Sequence, residues 1–268
     1  INLLSSDDQM KPKALETYAA IISENEDAKT SLLLLSNYEC FNDNDEITSI
    51  INKSPISFDR IKSFPPTQIN CSQTYSKYKG FEVLKDGLSR LDTVGGFLTT
   101  VYSKELWQTI EGYNSVRTIN PDTHFILKLL TQNPTTIYVN QILFRYRNQL
   151  SDNRASLSNN IRLQMDQYLN VIEFGTEITL NTTGLSQNDL AKIFINKYCL
   201  DKSLQSLSNG HYSLGFKIFA FALSTYPTKV LTNIKTYFLL LLLPLGPVSK
   251  LITLPAKALY LFLKKNKK

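Results

Sequence analysis

Cysteine is scarce in this chain of 268 residues: Cys40, Cys71 and Cys199 are odd in number, far apart and in no CxxC or Cys/His spacing. That excludes a disulfide framework and a zinc motif and fits a reducing cytosol. Histidine is limited to His124 and His211; the first fits a helix face and the second a turn without an evident partner. The start of the chain has no basic leader followed by a long apolar stretch, so a signal peptide is not indicated. It also has no methionine at position 1 and opens on an apolar run, as the middle of a strand would, which points to a fragment. No apolar run approaches the roughly twenty residues that a membrane span requires. Acidic residues are missing from the last part of the chain: Lys229 to Lys268 hold eight lysines and no Asp or Glu, while residues 1–228 carry 21 basic against 23 acidic side chains. The net charge of +6 is therefore located in the tail, and such segregation points to an anionic surface as partner.

What the chain does contain is core-forming material, 43% hydrophobic and 11% aromatic, enough for one large domain and an appendage. Ile1–Leu4 predicts a strand. Pro12 fits the first position of a helix whose stripe runs through Ala14, Leu15, Tyr18 and Ile21, and "SLLLLSNYECF" predicts a strand buried on both faces. Strand, helix, strand at this spacing forms a βαβ unit, so the expected class is α/β with a parallel core. Residues 42–92 are polar, with helical patches at Asp45–Asn52 and Gly80–Leu88. Beyond them the pattern predicts a Gly-Gly loop, a short strand, helices over Ser103–Ile110 and Pro121–Gln132, and strands over Thr136–Val139 and Ile142–Tyr146. From about Leu157 to Pro227 the period is helical, with a hairpin turning at Asn209-Gly210. The expected divisions are 1–155, 156–228 and 229–268. In the tail, an apolar run at Tyr237–Leu245 precedes leucines interleaved with Lys250 and Lys257 and a cluster of terminal lysines, the pattern of an interfacial helix on anionic headgroups. Packing of that segment on the body is the alternative; nucleic acid is not expected, because the tail is leucine-rich and carries no recognition motif.

Four groups of residues could carry chemistry. Asp7 and Asp8 follow an apolar run where open α/β sheets bind ligands, and paired carboxylates suit Mg²⁺ or Mn²⁺ bridged to a phosphate; "SSDD" before a helix is equally a capping sequence. Asp122 in "INPDTHF" could act as a general base or complement a helix dipole. Gly95 and Gly96 in "TVGGF" permit close approach of backbone to a ligand or a plain turn. Arg145 and Arg147 in "FRYRNQ" carry guanidinium forks suited to a diphosphate, or decorate an exposed edge.

The order of "LLSSDDQMKPKALE", "LLLLSNYECF", "TVGGFLTTVYSKELWQTIEGYN", "NPDTHFILKLL" and "TIYVNQILFRYR" over about residues 1–155 resembles the carboxyl half of family 2 glycosyltransferases of GT-A fold. The resemblance implies a Rossmann-like mixed sheet, truncated at its amino end before the segment that holds uracil and ribose, followed by a helical region. It implies Asp7 as metal and diphosphate ligand with Asp8 beside it, Gly95 and Gly96 near the acceptor, Asp122 as catalytic base, and Arg147 at the donor. Ser5 replaces the leading aspartate of the acidic motif, Pro121 replaces a glutamate, and Gln149 replaces a histidine. The activity implied is inverting transfer of a sugar from a nucleotide sugar, UDP-linked, to a saccharide or lipid-linked acceptor at the cytoplasmic face of the membrane, in surface polysaccharide or glycan assembly. A non-catalytic, membrane-associated binding module of transferase-like form is the rival expectation.

Overall fold

The structure is a computed structural model that describes residues 1–4, 7–51, 75–91, 96–113, 121–147 and 177–248. Two compact units divide the chain: Ile1–Ser156 with Asp166–Gln187, and Leu157–Met165 with Asn188–Lys268.

The first unit is α/β, built on a mixed six-stranded sheet. Its strands are β1 (Gln9–Met10), β2 (Leu32–Phe41), β3 (Ile47–Ile51), β4 (Tyr75–Lys79), β5 (Val101–Tyr102) and β6 (Thr135–Arg147). The two long strands, β2 and β6, run parallel side by side from Leu32↔Thr135 to Phe41↔Arg147. Each outer edge is shared by two short antiparallel strands: β5 and β3 along β2, β4 and β1 along β6. Cover on both faces explains the composition of β2, whose Leu32 to Leu35 alternate between the two faces and are all but inaccessible. Each leucine so buried contributes about 1.5–3 kcal/mol. Helix α1 (Ala14–Ser23) supplies Ala14, Tyr18 and Ile21, at a helical spacing, to the core formed with Leu34, Ile137, Val139 and Phe144.

Several expectations are corrected. Ile1–Leu4 is not a strand of the ladder: Asn2 makes a single antiparallel bridge to Val101, and Ile1 and Leu4 are exposed. The reason is that β5 occupies the edge of β2 at Leu33 and Leu34, so residues 1–4 run in the direction of β2 but one strand further out. The expected helical patch at Asp45–Asn52 is mainly strand β3, whose "ITSII" pairs with residues 38–41 of β2; β-branched residues favour the strand once a partner edge exists. Strand β4, "YSKYK", lies in a region expected to carry only helical patches; its exposed lysines mark it as a polar edge strand along Thr135–Val139. The two strands expected on either side of Asn140-Gln141 are one, β6, with register irregularities where Ser36, Asn37 and Tyr38 face Val139, Ile142 and Phe144. The apolar-to-polar break in sequence thus marks a bulge rather than a strand end. Helix α2 (Gly80–Arg90), helix α3 (Lys104–Thr109) and helix α4 (Pro121–Leu130) fall within two residues of the expected positions, and Ser103 caps α3 through its side chain.

A row of charge crosses the sheet near its carboxyl end. Gln9, Arg145 and Glu39 are register partners on β1, β6 and β2. The Arg145 guanidinium donates to Glu39 at 3.0 Å and to Gln9 at 2.9 Å, and pairs with Asp45 at 2.8 Å, while Lys11 reaches the other Glu39 oxygen at 2.8 Å. The Glu39 side chain is only 7% exposed, and the two cations offset the cost of taking its carboxylate out of water.

In the second unit, helix α5 of the first having ended at Thr183 (Glu177–Thr183), helix α6 (Gln187–Ile193) continues as one π-type stretch, Phe194–Leu200, into helix α7 (Asp201–Ser208). The expected hairpin turn at Asn209-Gly210 leads into helix α8 (Tyr212–Thr225), and Pro227 opens helix α9 (Pro227–Leu231). Helix α10 (Ile234–Leu242), capped by Asn233, is followed by a 3-10 segment, Leu243–Val248, which completes the described part. Among the described residues no helix is long and apolar enough to cross a membrane. The interfacial helix expected around Lys250 and Lys257 lies outside the described residues.

Two outcomes follow from burial. Glu39→Gln leaves two cations to share a neutral amide and is expected to lower the unfolding free energy by about 3 kcal/mol, read from the urea midpoint at unchanged slope. Burial pushes the Cys199 thiol up to about 12, so iodoacetamide at pH 8 is expected to leave Cys199 unmodified in the native protein and to label it in urea, as read by peptide mass spectrometry.

Candidate functional site

Parallel strands β2 and β6 end together, Phe41 opposite Arg147, and the carboxyl ends of such strands are where open α/β sheets take ligands. Asp8 comes to this end because its neighbour Gln9 is fixed opposite Arg145. The Arg147 backbone N–H donates to Asp8 Oδ1 at 3.2 Å, joining two residues that are 139 positions apart. Asp7 and Asp8 are both half-buried. The capping alternative for "SSDD" is overturned: β1 intervenes, the residue preceding α1 is Lys13, and it makes no side-chain cap.

Arg145 and Arg147 project from the same face of β6, two residues apart, and their guanidinium carbons lie 4.4 and 5.4 Å from the centre of the Phe41 ring. Their roles differ. Arg145 is committed to Glu39, Asp45 and Gln9, whereas the Nε of Arg147 is buried and finds no hydrogen-bond acceptor among the described residues. A buried donor without an acceptor is costly, and of the two guanidinium groups it is that of Arg147 which carries this cost.

Gly96 is reached from β2. A Cβ there would lie 3.1 Å from Cε1 of Tyr38, so glycine lets the loop rest against that ring; its carbonyl accepts from Thr99 and Thr100, and its N–H donates to Thr99 Oγ1. Asn2 fixes the same loop by donating to the carbonyls of Leu98 and Thr100 at 3.0 and 2.9 Å. Tyr38 in turn stands edge-on to Tyr146, the residue before Arg147. Gly95 lies outside the described residues, as do Ser5 and Gln149.

Asp122 is half-buried in the first turn of α4. The Tyr113 hydroxyl donates to its Oδ1 at 2.7 Å. Tyr113 is delivered by Gly112, which has φ +73° and whose added Cβ would meet the Trp107 ring at 2.6 Å, so no other residue fits the turn. The Tyr113 ring packs on Phe97 and Phe125, centroids 5.4 and 5.1 Å away. Desolvation, and then the Asp122 carboxylate, hold its phenol well above the ordinary tyrosine range. A path of contacts thus runs Asp122, Tyr113, Phe97, Gly96, Tyr38, Tyr146, Arg147, Asp8, all within the first unit. His124, one residue group considered in sequence, lies on α4 as expected, and His211 immediately precedes α8.

Sequence reasoning missed Tyr113, Tyr38 and Glu39. Tyr113 follows a glycine turn, a signal of position but not of partner; Tyr38 and Glu39 are hidden inside a largely apolar run, where Glu39 is the one charged residue. Among the described residues no group of three or more His, Cys, Asp or Glu gathers as a metal cage. The donor set at Asp7 and Asp8 nonetheless suits a hard divalent ion of the kind that takes one or two carboxylates and completes its shell with phosphate and water. No protein-family model matches the chain, and comparison with curated proteins returns no match.

The Asp122–Tyr113 contact has a direct readout. In Asp122→Asn the negative charge is removed, and the Tyr113 phenol, followed by ¹³Cζ NMR, is expected to titrate at lower pH than in the wild type; an unchanged titration would show that the carboxylate does not act on it.

Proposed function

We propose that the chain carries the catalytic and acceptor residues of an inverting glycosyltransferase of GT-A type, similar to family 2, that moves a sugar from a UDP-linked donor to a hydroxyl of a saccharide or lipid-linked acceptor. The observation that carries this reading is the chain of contacts that links Asp122 through Tyr113, Phe97, Gly96, Tyr38, Tyr146 and Arg147 to Asp8, residues of separate motifs that follow the order of that family. The mixed sheet is compatible with a Rossmann-like fold.

In this reading Asp122 accepts the proton of the acceptor hydroxyl as that oxygen forms its bond to the anomeric carbon. The bond from the anomeric carbon to the diphosphate breaks, and its electron pair leaves with the nucleoside diphosphate. Tyr113 engages one carboxylate oxygen of Asp122 and so orients the other toward the acceptor. The Arg147 guanidinium, with its unpaired Nε, faces the charge that grows on the departing diphosphate. Gly96 keeps the acceptor side open by adding no side chain where Tyr38 already stands. Asp7, with Asp8 beside it, would hold Mg²⁺ or Mn²⁺, which supplies charge neutralisation at the leaving phosphate. The basic segment after residue 229 would keep such an enzyme at the cytoplasmic membrane face, close to lipid-linked acceptors of surface polysaccharide assembly.

Transfer by the full-length protein tests the reading. Asp122→Asn is expected to lower kcat by about 10³-fold with little change in donor KM, the range for loss of a general base. Arg147→Ala is expected to raise donor KM about tenfold, as lost charge-assisted hydrogen bonds would. Unchanged transfer in Asp122→Asn would sink the base assignment, and no transfer to any acceptor would favour the non-catalytic module.

A further inference from the structure

Helix α10 is apolar on two sides. Thr236, Leu239 and Leu242 are buried within the second unit, while Ile234, Tyr237, Phe238 and Leu241, at spacings i, i+3, i+4 and i+7, form a second stripe that faces outward at 71, 58, 57 and 70% exposure. Lys235, the charged residue of the helix, is turned to Asp201 at 2.6 Å and does not interrupt the stripe. Leu231, also exposed, precedes it by one further step of three. Four large apolar side chains in register, two of them aromatic, are more than the single exposed hydrophobes normal to a surface.

We infer that this outward stripe of α10 is a lipid-docking surface that lies in the interface of an anionic bilayer. Charge identifies the occupant. The sequence that holds the helix, residues 229–268, has eight lysines and no acidic side chain, so an anionic partner complements its charge and a cationic one does not. Anionic headgroups satisfy those lysines while the acyl boundary takes Ile234, Phe238 and Leu241, and Tyr237 suits the level between them. A second copy of the chain would bring like charge to like. Nine residues are too few to span a bilayer, so the helix lies along the surface. The inference does not rest on the chemistry assigned to Asp122 and is read without any activity assay.

The test is co-sedimentation of the full chain with phosphatidylcholine vesicles containing about one-third phosphatidylglycerol. The wild type is expected to bind at least about tenfold more tightly than to pure phosphatidylcholine, and F238E/L241E is expected to lose about tenfold or more of that affinity. Because the double variant could disturb folding, Phe238→Trp supplies an independent reading: its emission, after subtraction of Trp107 measured in the wild type, is expected to shift to the blue on adding the anionic vesicles and to be quenched by brominated lipid. No binding by the wild type, full binding by a folded F238E/L241E, or an unshifted emission in Phe238→Trp overturns the inference. Loss of self-association in F238E/L241E with vesicle binding intact also overturns it, and assigns the stripe to a second copy.

Discussion

Glu39 and Arg145 face each other across the parallel pair at the centre of the sheet, and the geometry of the candidate site depends on that contact. It is a buried ionic interaction, with Lys11 and Asp45 completing the charge balance on either side. Its consequence is positional. By drawing Gln9 to one side of Arg145 and Glu39 to the other, it aligns β1, β6 and β2, and the alignment carries Asp8 to the backbone of Arg147. Two arginines two residues apart thereby acquire different tasks, one holding the sheet and one with an unsatisfied donor at its edge.

The second constraint is aromatic. Phe97, Tyr102, Tyr113 and Phe125 pack at centroid separations of 5.1 to 6.1 Å, edge-on or tilted, and tie the loop of Gly96, the end of β5 and the first turns of α4 into one body. Asp122 is held through this cluster and not through the sheet. The two ends of the contact path therefore rest on different forces, ionic at Asp8 and apolar at Asp122. Tyr38, standing between Gly96 and Tyr146, links them.

Legibility in the sequence followed the physics of each element. The buried strand β2 was plain because burial on both faces demands a near-continuous apolar run, and α2, α3 and α4 were plain because each shows a helical stripe with a cap or turn nearby. Strands β3 and β4 were not, because short edge strands are largely exposed, leave no buried stripe to read, and exist only where a partner edge is offered. Asp7, Asp8, Gly96, Asp122 and Arg147 could be nominated by residue type and order. Nothing local indicated that Tyr113 would hold Asp122, or that "SSDD" would be separated from its helix by a strand.

By itself the sequence determined the α/β class, the buried strand, the helical second part and the concentration of lysine after residue 229, since each depends on composition or on a period of a few residues. The tertiary structure decided which carboxylate meets which arginine, that Arg145 is structural while Arg147 is not saturated, that Asn140-Gln141 makes a bulge, and that α10 turns a second apolar face outward. These are matters of register and of the direction in which a side chain points. They are set by contacts between residues a hundred or more positions apart, such as Glu39 with Arg145 and Asp8 with Arg147, which no local pattern encodes.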